Sequence, residues 1–190
     1  MGSECTIGEV VDLIVELGLV DPSTPGQKLE PDELDEPLSY YGFTAHEAVL
    51  ALLSELEIRY TLDYKTFRGI GDADHDDRLR WYQDELESIA SCTRGLVTVT
   101  NVRLVEIDAE WALHFDWNQE TISWPVSAGD PDEHFEASLT FASYLSGLAA
   151  SPSERFCDVD PCDEDLNGEA IFGNPEALNR LGARFGLTFS

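Results

Sequence analysis

The chain has 190 residues, 43% of them hydrophobic, and carries 38 acidic against 11 basic residues for a formal net charge of -27. The length suits one domain with a buried core, and the charge argues against direct binding to DNA, RNA or anionic membranes, which such a surface repels. No apolar run approaches the roughly 20 residues of a membrane-spanning helix, and the N-terminus lacks the basic-then-apolar pattern of a secretory signal, so a cytoplasmic setting is expected.

In chain order, Ile7, Val10, Val11, Ile14, Val15 and Leu17 fall on one stripe of a helix over Thr6 to Leu19, with Gly18 as its stop. Residues 21–41 then interleave Pro22, Pro25, Pro31 and Pro37 with Glu30, Asp32, Glu33, Asp35 and Glu36, the chemistry of an acidic, Pro-rich loop or linker. Thr44 and Glu47 form a capping-box pattern, in which the hydroxyl accepts an orphan amide and the carboxylate reaches back. The helix it opens presents Val49, Leu50, Leu52, Leu53 and Leu56 to a core. Ile58, Tyr60, Leu62 and Tyr64 alternate next and predict a strand near 58–64.

Asp72, Asp74, His75, Asp76 and Asp77 resemble a metal loop, but no glycine stands at the sharp turn of a calcium loop and Gln83 occupies the bidentate position. Leu79, Tyr82, Leu86 and Ile89 follow at helical spacing, so these acids are read as facing the positive end of a helix dipole. That helix is expected to end near Arg94, with Gly95 as a left-handed cap.

Leu96 to Val126 is the clearest pattern in the chain. Trp111, Leu113, Phe115 and Trp117 alternate with Ala112, His114, Asp116 and Asn118, and Ile122, Trp124 and Val126 repeat the pattern after a break at Asn118-Gln119-Glu120. An antiparallel meander follows, to which the strand near 58–64 is expected to add, and a helix through Phe135, Leu139 and Leu148 is expected on its tryptophan face. Short strands at Phe156 to Val159 and Ala170 to Phe172 and a last helix over Pro175 to Phe185, stopped at Gly186, complete a single α+β domain over 1–190, its meander packed against several amphipathic helices.

Chemistry-bearing motifs are sparse. Asp163, Asp165 and Asn167, followed by Gly168, match the first half of a calcium loop, yet Asn174 stands where a bidentate acid is needed, and a turn between strands accounts for them. Cys5, Cys92, Cys157 and Cys162 lack disulfide-scaffold or zinc spacing and read as reduced thiols. His114 and Asp116 share the polar face of a strand, where a histidine and a carboxylate can act as base and orienter. Phosphate loops, nucleophile elbows and dinucleotide fingerprints are missing, which lowers the expectation of catalysis without excluding it, and no cofactor is expected.

Acidity with only Lys28 and Lys65 as lysines leads instead to a protein-binding domain that neutralises a basic partner, such as an immunity-type inhibitor of a nuclease or other toxin. The contact acids expected are Asp32, Glu33, Asp35 and Glu36, then Asp72, Asp74, Asp76 and Asp77, with His114 and Asp116 on the sheet and Tyr40 and Tyr41 as anchors. Three alternatives stay open: salt adaptation without a dedicated partner, mimicry of DNA to block a DNA-binding enzyme, and a small enzyme using His114 and Asp116.

Overall fold

The structure, a computed structural model, describes residues 5–62, 74–107, 110–126, 153–162 and 168–190. The helix expected through Phe135 to Leu148, the residues Tyr64 and Asp72, and the calcium-loop candidates Asp163, Asp165 and Asn167 lie outside them.

Helix α1 (Ile7–Glu16) is closed by a complete capping box, with Thr6 accepting from the amide of Glu9 and Glu9 from the amide of Thr6. The acidic segment after it is a packed loop. Its short helix α2 (Pro25–Lys28) and 3-10 turns at Glu33–Asp35 and Leu38–Tyr40 bury Leu29 and Leu38. Backbone bonds from Ile7 to Glu36 at 3.0 Å and from Leu38 to Cys5 at 2.8 Å then hold it along the start of α1. The apolar residues spaced among the acids supply the anchoring that the charge pattern alone conceals.

Helix α3 (Ala45–Glu55) has the expected capping box at Thr44 and Glu47 and buries Val49, Leu50, Leu52 and Leu53. Strand β1 (Arg59–Leu62) follows. Helix α4 (His75–Ser91) begins at Asp74, whose carboxylate accepts from the amide of Asp77 at 3.0 Å, and ends before the positive-φ residues Arg94 and Gly95. Strands β2 (Val99–Ile107), β3 (Glu110–Trp117) and β4 (Glu120–Val126) form the meander, in order β2-β3-β4. Its β3-β4 turn is two residues long, with positive φ at both Asn118 (46°) and Gln119 (75°), the backbone that matches strand twist in tight hairpins.

Strands β5 (Arg155–Asp160) and β6 (Gly168–Gly173), helix α5 (Pro175–Phe185) and strand β7 (Thr188–Phe189) complete the described chain. The second antiparallel sheet has the order β1-β6-β5-β7. Here the expectation for the strand near 58–64 is corrected: β1 pairs with β6, Tyr60 opposite Ala170, and not with the meander. Alternation showed that this strand has two faces but not which neighbour completes its backbone bonds. Tyr60 still points into the core that the meander bounds, so the two sheets meet face to face.

The four-stranded sheet has a core on each side. Cys157, Val159 and Ile171 face α1, α3 and α5, whereas Tyr60, Phe156, Ala170 and Phe172 face α4 and the inner side of the meander with Leu113, Phe115 and Trp117. Among the described residues it is α4, through Tyr82, Leu86 and Ile89, that covers the tryptophan face. Two ion pairs pin this arrangement. Arg59 meets Glu169 at 2.6 Å with side chains only 11% and 1% exposed, and Arg94 binds Glu154 while its Nη1 donates to the carbonyl of Gly18 at 3.3 Å. All four cysteines are free thiols, two of them buried, as the spacing implied.

Two outcomes follow from this packing. A Cβ on Gly182 would stand 2.3 Å from the Leu187 carbonyl oxygen, so Gly182→Ala is expected to cost at least about 1–3 kcal/mol in denaturant unfolding because backbone must move. Glu85, which accepts from the Tyr60 hydroxyl, is pushed up from 4.5 to about 7 by burial. A raised carboxyl favours the folded state while protonated, and that stability is lost as pH climbs from about 4.5 through about 7. Glu85→Gln keeps the acceptor without the charge, so its stability relative to the parent should rise by on the order of 2–3 kcal/mol between pH 5 and 8.

Candidate functional site

The acids expected to make contact divide between two places. Asp32, Asp35 and Glu36 are exposed on the packed loop, while Glu33 is half-buried and its Oε2 accepts from the amide of Glu30 at 2.8 Å. This first run is backed by Leu34 and Leu38 on the α1 side of the central sheet. The second run sits at the start of α4, which belongs to the other core. There Asp74 is occupied as a helix cap, Asp77 lies 3.4 Å from Arg80, and Asp76 lies 3.4 Å from His75, whose ring tilts over Trp111 at 5.3 Å. The dipole reading of these acids therefore has its geometric basis in the cap.

His114 and Asp116 do share one face of β3, but each has another partner. His114 Nε2 lies 3.0 Å from Ser123 Oγ on β4. The two oxygens of Asp116 accept from Asn101 at 2.5 Å and Thr121 at 2.7 Å, and these bonds hold its carboxyl below the usual range. Asp116 thus fastens three strands together instead of orienting the histidine. Among the described residues no group of three His, Cys, Asp or Glu side chains is arranged to hold a metal ion. Asn174, the residue that breaks the calcium-loop pattern, caps α5 by accepting from the amides of Glu176 and Ala177.

The aromatic residues beside the first acidic run form the most distinctive surface. Tyr40 and Tyr41 meet edge to face at 5.5 Å, Tyr40 61% exposed and Tyr41 half-buried. Burial first, then the carboxylates of Glu33 and Glu55, push the Tyr41 phenol up to about 12, which places two acids in its field. Gly42 lets the chain turn tightly onto α3, since a Cβ there would stand 2.8 Å from the Ala48 nitrogen. That turn projects Phe43 wholly into solvent, at 105% exposure.

Phe43 is the functional candidate that sequence reasoning missed. It precedes the Thr44 cap, the position from which an apolar residue ordinarily staples onto the fourth helical residue. That residue is Ala48, fully buried and too small to reach it. A capping box preceded by an aromatic and lacking a large staple partner was the available signal. Phe43 stands between two clefts, one of about 750 Å³ extending to Leu50, Arg59 and Cys162, the other of about 320 Å³ extending to Cys5, Arg184 and Phe185.

No protein-family model, curated protein or solved structure matches this chain. Among the described residues no helix is long and apolar enough to cross a membrane.

Since Phe43 touches no core, Phe43→Ser should leave unfolding free energy within about 0.5 kcal/mol of the parent. Leu38→Ala, five positions away at a side chain only 5% exposed, should cost about 2–5 kcal/mol in the same denaturant titration.

Proposed function

We propose that this chain is a protein-binding domain that neutralises a basic partner, such as a nuclease or another toxin with a cationic surface, through the loop from Glu30 to Phe43. The observation that carries this reading is the pairing of an exposed aromatic hook, Tyr40 and Phe43, with the exposed acids Asp32, Asp35 and Glu36 on one packed loop. Aromatic side chains supply most of the affinity when a partner desolvates them. Carboxylates around such an anchor raise the rate of encounter with a cationic surface and penalise anionic competitors. A loop already held against α1 loses less conformational freedom on binding than a free acidic tail. The acids Asp74, Asp76 and Asp77 and the polar face with His114 and Asp116 contribute field more than contact in this reading.

The lysine scarcity of the chain, with Lys28 and Lys65 alone, also suits salt adaptation. That reading requires molar salt for folding, because surface acids repel one another until screened.

The deciding experiment is affinity capture from the native lysate at low salt and at about 0.5 M salt, where the Debye length falls to roughly 4 Å. The parent should fold in dilute buffer and retain one basic protein in both conditions, and the double variant Tyr40→Ser, Phe43→Ser should lose it. Capture only of abundant basic proteins, washed off at the higher salt and indifferent to the double variant, would overturn the proposal.

A further inference from the structure

The larger cleft beside Phe43 has a chemistry of its own. It is lined by Tyr41, Leu50 and Ala51, by the exposed Phe43, and by the polar side chains of His46 and Glu47, the Oε2 of Glu47 already accepting from the Thr44 amide at 2.9 Å. Glu33 and Glu55 lie close enough to the Tyr41 phenol to raise it. The cationic side chain in the lining, Arg59, is already engaged: its Nε binds Glu169 at 2.6 Å, its Nη1 reaches Ser54 at 3.3 Å, and the pair is almost out of water. Its charge is cancelled locally by Glu169, so Glu47 is the uncompensated acid of the lining, and Glu33 and Glu55 add negative field at the Tyr41 phenol.

We infer that this cleft is a socket for an arginine side chain presented by the basic partner, an inference that rests on the partner reading above. The geometry meets the demands of that side chain. An apolar stem needs apolar walls, and a guanidinium favours an aromatic face together with carboxylate acceptors. The cleft, at about 750 Å³, has room for that side chain. Lysine suits the cleft less well, because an ammonium is more strongly hydrated and cannot stack. An anionic group meets unfavourable carboxylates, and a purely apolar group leaves them unused. The exposed Phe43 ring gains, by lying over the guanidinium, the cover that Ala48 is too small to provide.

The test needs no partner protein. The full chain is titrated at low salt with N-acetyl-arginine amide and, separately, with the neutral isostere N-acetyl-citrulline amide, read by NMR shifts. The arginine probe should give saturable shifts centred on Tyr41, Phe43 and Leu50, with citrulline at least fivefold weaker. Phe43→Ala, a change at a fully exposed side chain, should weaken the arginine probe about threefold to fivefold, and Glu55→Gln about twofold. Equal binding of the two probes, or shifts spread over the acidic surface and unaffected by Phe43→Ala, would overturn the socket. A partner captured through Tyr40 and Phe43 alongside a cleft indifferent to arginine would sink the socket and leave the partner reading standing. Specific arginine binding with no retained partner would support the socket and sink the partner reading.

Discussion

The structure depends on one constraint: the central sheet is apolar on both sides. In β5, Phe156 faces one core and Cys157 the other, and in β6 Ala170 and Phe172 oppose Ile171 in the same way. A strand pair of this kind is stable only when both faces are covered. Helices α1, α3 and α5 cover one face, and α4 with the meander covers the other. Neither core closes without the sheet, so the two halves of the chain are coupled through six-residue strands.

Two of the scarce bases sit at the joints of this arrangement. Arg59 and Arg94, with side chains 11% and 19% exposed, are held between elements, one against Glu169 on β6 and the other against Glu154 with its guanidinium 5.9 Å from the Phe172 ring. Lys28 meets Glu57 at 2.6 Å. Arg80, Arg103, Arg155, Arg180 and Arg184 are exposed, so the negative exterior follows from the excess of 38 acids over 11 bases.

Much of the architecture was legible from local signals. Asn174-Pro175 and Gly186 bracket α5 because a side-chain cap, a fixed φ and a left-handed glycine each leave a mark in the sequence. The meander was legible because one buried face imposes a period of two. The sheet that β1 joins was not, since the alternation of Ile58, Tyr60 and Leu62 is the same whichever strand lies beside it. The packing of the 21–41 segment was hidden for another reason: Leu29 and Leu38 are isolated among acids, and isolated anchors have no period. The exposed position of Phe43 was hidden because an aromatic residue is ordinarily assigned to a core, and only the small size of Ala48 argues otherwise.

The fold thus holds Tyr40 and Phe43 out to solvent on a packed loop that also carries exposed carboxylates. Hydrogen exchange of the free chain and of its complex with the captured partner tests the central claim most directly. Slowed exchange is expected in the complex at the amides from Glu33 to Glu47, with unchanged exchange across β2, β3 and β4. Protection confined to the meander around His114 and Asp116, with the loop unaffected, would contradict it.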